Sequence, residues 1–125
     1  MYKKILFLDD TETRHHVFRR TGIGADVTHV YNAVDAIKAL DDTVFDVASL
    51  DHDLSEESIM TLPTDGATDP RNWSGYDVAL HIARMPADKR PKVVVIHSLN
   101  PPGRTRMQQA LEGSVIVKII PFRSQ

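Results

Sequence analysis

Five short apolar runs, none longer than a strand, alternate along this chain with stretches of helical period, and that alternation leaves few folds open. The runs are Ile5 to Leu8, Val27 to Tyr31, Phe45 to Leu50, Val93 to His97 and Val115 to Ile120. Thr11 to Arg20 reads as a polar helix stopped by Gly22. Asn32 can cap a helix whose Val34, Ile37 and Leu40 recur on one face, with Asp41 and Asp42 marking the turn that follows. Ser74 caps a third helix holding Tyr76, Val78, Leu80 and Ile82. Pro91 punctuates before the fourth strand, Pro101 opens a helix to Leu111, and Gly113 releases the chain into the last strand. The reading is an α/β domain spanning residues 1–125, a doubly wound sheet of five parallel strands with four helices.

Two irregularities break the pattern. Leu54 to Trp73 forms a long insert between strand 3 and helix 3, polar and carrying Pro63, Gly66 and Pro70, and its length marks it as a lid. At the other end only four residues follow Pro121, so the last helix of a doubly wound sheet is missing. The Val and Ile content of strands four and five predicts buried faces. The insert is too polar to cover them, so a second copy of the chain, a homodimer, is the expected cover.

Composition narrows the function by exclusion. The 125 residues carry a net charge of −2 with Lys and Arg scattered, which offers no footprint for duplex DNA but leaves room for a small nucleotide or an RNA end. Without cysteine there is no disulfide, thiolate metal site or Cys nucleophile. No apolar run could span a bilayer, and Met1-Tyr2-Lys3-Lys4 has no cleavage site, so a cytoplasmic protein without a membrane partner is expected.

The chemistry concentrates at strand ends. Asp9-Asp10 follows the first strand and Asp51-His52-Asp53 the third. If both strands lie parallel in one sheet, four carboxylates and an imidazole meet in the crevice where open α/β sheets bind ligands. Carboxylates so gathered repel one another unless a proton or a hard cation neutralises them, and oxygen ligands suit Mg²⁺ or Mn²⁺. Asp9, Asp10 and Asp51 are the expected metal ligands, with Asp53 next. His97 and His52 are the expected general acid and base, because imidazole titrates near neutrality. Arg14 and the helix N-terminus after Asn100 could hold phosphate oxygens. His15, His16, His29 and His81 have no motif behind them and read as surface or structural. Gly75 and Gly103 read as backbone devices, Met107 as core, and Trp73 as an apolar anchor for the insert.

Other chemistries fit less well. A haloacid-dehalogenase-type phosphatase wants a second aspartate two positions after the one that follows strand one, but Thr11 and Glu12 stand there. A zinc hydrolase wants more paired histidines, and no Gly-rich phosphate loop occurs.

Ile5-Leu6-Phe7-Leu8-Asp9-Asp10 and Phe45 to Asp51 resemble the first and third strands of bacterial response-regulator receiver domains. The resemblance implies a flavodoxin-like, receiver-like sheet, Asp9 and Asp10 as metal ligands, Asp51 as the counterpart of the phospho-accepting aspartate and Ser98 near the switch hydroxyl. Pro121-Phe122 resembles the end of the receivers' Lys-Pro pair, but the Lys is Ile120 here. The sequence resembles more closely the cyclic-phosphate processing receiver-like domains of prokaryotes and phages. That resemblance rests on Leu8-Asp9-Asp10 with Arg14, Ser49 to Leu54, Gly75-Tyr76-Asp77, and His97 to Pro101 with Gly103 and Met107.

It implies a metal-dependent phosphoesterase acting on cyclic phosphates of nucleotides or RNA ends. Catalytic His97, His52 and Asp51 would work beside Asp9, Asp10, Asp51 and Asp53 on the metal, with Arg14, Ser98 and Asn100 on the phosphate. Two other classes stand beside it: a phospho-accepting receiver in signalling, and a non-catalytic binder of a phosphorylated or nucleotide ligand.

Overall fold

The computed structural model describes residues 3–21, 25–54, 72–98 and 100–120. The expected stop at Gly22 and all of the insert from 55 to 71 lie outside the described residues. The strands are β1 (Lys4–Leu8), β2 (Asp26–Val30), β3 (Val47–Leu50), β4 (Val93–Ile96) and β5 (Ile116–Ile119). The helices are α1 (Glu12–Thr21), α2 (Ala33–Asp42), α3 (Gly75–Arg84) and α4 (Pro101–Leu111), and among the described residues none follows β5.

All strands run parallel in the order β2-β1-β3-β4-β5, so the winding reverses between β1 and β3. That reversal opens the crevice at their carboxyl ends. Each of three helices begins on a capping residue that sequence alone identifies. Asn32 accepts from the Asp35 amide at 2.8 Å, Ser74 and Asp77 form a reciprocal capping box, and Asn100 accepts from the Gly103 amide at 3.1 Å ahead of Pro101.

The two faces of the sheet differ in kind. Leu6, Leu8, Ala48, Leu50, Val94 and Ile96 pack with residues of α2, α3 and α4 into the main apolar core. The stripe that α2 buries is Ala33, Ala36 and Leu40, rather than the expected Val34, Ile37 and Leu40, with Ile37 only partly buried at its edge. Met107 lies in this core and Trp73 packs against it. On the opposite face Phe7 stacks on Phe18 of α1, with ring centroids 4.2 Å apart.

The expected burial of β5 is not met among the described residues. Ile116 and Ile120 are 61% and 55% exposed, and β4 alternates buried with half-buried residues, Val94 and Ile96 facing the main core. No helix among the described residues is long and apolar enough to cross a membrane.

Candidate functional site

Four strands are each prolonged by one ladder bond beyond their last residue. The amide of Asp9 donates to Val30 O at 3.2 Å, and Asp51 to Leu8 O, His97 to Leu50 O and Ile120 to Ile96 O at 3.0 Å each. Asp9, Asp51, His97 and Ile120 therefore stand in one row across the carboxyl ends of β1, β3, β4 and β5. In-register residues of a parallel sheet point to the same face, so the row gathers side chains from the ends of four strands. Ligand atoms of Asp9, Asp51 and His97 lie within 4.8 Å of one another, and all three residues are buried. The grouping is of a kind that can hold a metal ion.

Asp9 is the most heavily bonded of the three. It accepts from the Thr11 amide at 2.8 Å, Arg14 Nη1 at 3.2 Å and His97 Nε2 at 3.0 Å. Burial alone would raise its pKa, but the His97 and Thr11 bonds and the nearby positive charge hold it below the usual carboxylate value. Asp51 goes the other way. Burial first, then the charge of Asp9, push it up to about 7, against the opposing pull of Arg14 and the His52 amide. Asp10, exposed at the rim, is raised by partial desolvation and by Asp9. Arg14 Nη1 bridges the central pair, reaching Asp51 Oδ2 at 3.5 Å as well as Asp9.

His97 is buried and held at both ring nitrogens. An ionised carboxylate can only accept, so Nε2 carries the proton to Asp9. Burial keeps the ring's pKa below its ordinary value despite the Asp9 bond, so Nδ1 accepts from Ser49 Oγ at 2.7 Å. Ser49, His97 and Asp9 thus make a Ser-His-Asp chain, but Ser49 is itself buried in β3, and the chain works as a clamp across three strands. Phe7 stacks under the imidazole at 4.9 Å, 10° from parallel.

A pair of histidines, His15 and His29, supports Asp9 from behind. His15, fully buried in α1, donates from Nε2 to the Asp9 carbonyl at 2.7 Å, which leaves its Nδ1 to accept from His29 Nδ1 at 2.6 Å. Both rings lie around Phe7, and His15 stacks on Tyr31 at 4.0 Å. In the sequence these two read as surface or structural residues. Their place beneath Asp9 follows from the pairing of Phe7 with His29 across β1 and β2, which no local motif announces. Ser49 belongs to the motif that carries the family resemblance but has no role in the sequence reading, although a hydroxyl inside an apolar strand signals that a partner must exist.

The remaining predicted site residues form a separate network beside the row. His52 is buried, its Nδ1 on Asp53 Oδ1 at 2.8 Å, and Asn100 Nδ2 reaches both Asp53 oxygens at 3.2 and 3.4 Å. Ser98 is buried and its hydroxyl accepts the Asn100 amide at 3.0 Å. These bonds tie the N-terminus of α4 to the end of β3. Two glycines permit the fit: a Cβ at Gly75 would lie 1.8 Å from the Asp51 carbonyl oxygen, and one at Gly103 would lie 2.5 Å from the His52 ring. The structure therefore joins Asp9, Asp51, His97 and Arg14, with Asp10 at the rim, and places His52, Asp53, Ser98 and Asn100 in a bracket around them.

Residues 4–113 match the family described as the cyclic-phosphate processing receiver domain. Among solved structures, the response regulator TrrA of Thermotoga maritima, in complex with Mg²⁺ and BeF, superposes with a TM-score of 0.67 at 18% identity over 97% of this chain and 87% of that one. The receiver domain of a Pseudomonas aeruginosa sensor histidine kinase, with magnesium in its active-site cleft, gives 0.66 at 17% identity over 98% and 88%. A Burkholderia pseudomallei response regulator with a phosphorylated aspartate and calcium gives 0.57 at 18% identity over 97% and 61%. At these identities the likeness is one of fold. No curated protein matches the chain by sequence.

Proposed function

The chain belongs to the cyclic-phosphate processing receiver family, a divergent branch of the receiver fold, and on that premise we propose that its crevice is a phosphoryl site in which Asp51 is the reacting carboxylate. The observation that carries this reading is the buried pair Asp9 and Asp51, in register on adjacent strands with one guanidinium on both. Such a pair is costly to keep charged without a cation. Oxygen ligands in that number suit a hard divalent ion, Mg²⁺ or Mn²⁺, which Asp9, Asp10 and Asp51 would hold. When bound it would supply positive charge against the phosphoryl oxygens.

The favoured reaction is phosphoryl acceptance. An Asp51 carboxylate oxygen attacks phosphorus of a small acyl phosphate, the bond from phosphorus to the leaving oxygen breaks, and the electron pair departs with the donor's carboxylate. Arg14 turns its fork to the phosphoryl oxygens, a task that suits a guanidinium. It thereby serves where the receivers' lysine would, the position Ile120 occupies here. His97 keeps Asp9 oriented and ionised; with both ring nitrogens engaged it is a positioning residue.

A second reading is hydrolysis of a cyclic phosphate of a nucleotide or RNA end by water. The family's description supports it, and so does the pKa of Asp51 near 7, which suits a general base. One experiment separates the two. The protein is incubated with Mg²⁺ and either acetyl phosphate or a panel of 2′,3′-cyclic and 3′,5′-cyclic nucleotides, then followed by intact mass and by chromatography. A phosphoryl adduct absent in Asp51→Asn supports acceptance, turnover of a cyclic phosphate supports hydrolysis, and the absence of both adduct and turnover overturns both readings.

A further inference from the structure

Arg14 supplies a positive charge shared by Asp9 and Asp51. Its Nη1 lies 3.2 Å from Asp9 Oδ2 and 3.5 Å from Asp51 Oδ2, on a side chain only 21% exposed. The site has three nearby carboxylates, Asp9, Asp10 and Asp51, and a row position at β5 filled by Ile120, so the positive charge on the Asp9 and Asp51 pair comes from α1 rather than from β5. A side chain anchored on a helix can swing away from the carboxylates without disturbing the strand ends that hold them. We infer that Arg14 is a built-in counter-cation that a divalent metal must displace from Asp9 and Asp51. The inference rests on the metal-dependent reading of the site.

Two consequences follow. In the metal-free protein the guanidinium keeps Asp9 and Asp51 together against their mutual repulsion, at the expense of metal affinity. Once displaced, the same guanidinium is available to phosphoryl oxygens, so metal and phosphoryl group each favour the binding of the other. A unit charge held about 6 Å from a dication weakens its binding by about tenfold even at the dielectric constant of water.

The test is binding of Mn²⁺ alone at pH 8.5, where proton competition for the carboxylates is least. Free Mn²⁺ is counted by electron paramagnetic resonance, for wild type, Arg14→Lys, Arg14→Ala and Arg14→Gln. Gln keeps part of the stem and serves if the Ala variant fails to melt cooperatively. The expected result is binding about tenfold tighter in the Ala and Gln variants, with Arg14→Lys close to wild type because the charge is retained. Equal or weaker binding in Arg14→Gln, with wild type still binding, overturns the inference and leaves the metal reading standing. No Mn²⁺ binding by any of the four overturns both.

Discussion

Replacing Asp51 by Asn tests the electrostatics of the site without reference to any ligand. The carboxyl is pushed from 3.8 to about 7, chiefly by burial and then by Asp9. The folded protein therefore holds this proton more tightly than the unfolded chain does. Asp51 accordingly opposes folding progressively as pH rises from about 4, and its full effect is reached above about 7. Three pKa units at about 1.4 kcal/mol each set a ceiling of roughly 4 kcal/mol. A carboxamide of the same shape removes the charge and keeps an oxygen for the His52 amide, but it remains a buried polar group, which returns about 1–2 kcal/mol. Asp51→Asn is expected to be more stable than wild type by about 2 kcal/mol at pH 8, and the difference should shrink by about the same amount at pH 5. Urea unfolding in a metal-free buffer at both pH values measures this, as a midpoint displaced by roughly 1 M at pH 8. A stability difference that does not change with pH, or an Asn variant less stable at pH 8, would refute the reasoning.

Further outcomes are expected. Truncating His97 to Ala leaves the Asp9 carboxylate and the Ser49 hydroxyl buried without their shared partner, so chemical unfolding should show a loss of about 3 kcal/mol. Gly75→Ala forces a Cβ onto the Asp51 carbonyl and should be more destabilising than Gly103→Ala, which meets a side chain; thermal melts of the two rank them. Ile120→Lys returns an ammonium to the row holding Asp51 and should raise the yield of phosphoryl adduct from acetyl phosphate, seen by intact mass. Chelation of divalent metal should abolish that adduct in wild type, and Mg²⁺ should narrow the stability gap between wild type and Asp51→Asn, because a ligand of the native state stabilises only the protein that binds it.

Much of this protein was legible along the chain. Short apolar runs alternating with helical segments imposed a parallel α/β sheet, since such strands need crossovers that return on the same side. Asn32, Ser74 and Asn100 announced their helices because capping is a local bond between residues two or three apart. Asp9 and Asp51 were visible as site residues because each directly follows an apolar strand. What only the tertiary structure decided was the partnership among these groups. The Ser49, His97 and Asp9 clamp, the His15 and His29 support beneath it, and the contact of Arg14 with both acids all depend on strand register and on how α1 packs over Phe7. His97 shows the difference. Its position past β4 marked it as a site residue, but whether an imidazole is offered to a ligand or used up inside the protein depends on which groups meet its two nitrogens. Those groups come from β1 and β3, more than forty residues away, and long-range register is set by the packing of the whole sheet rather than by any local segment.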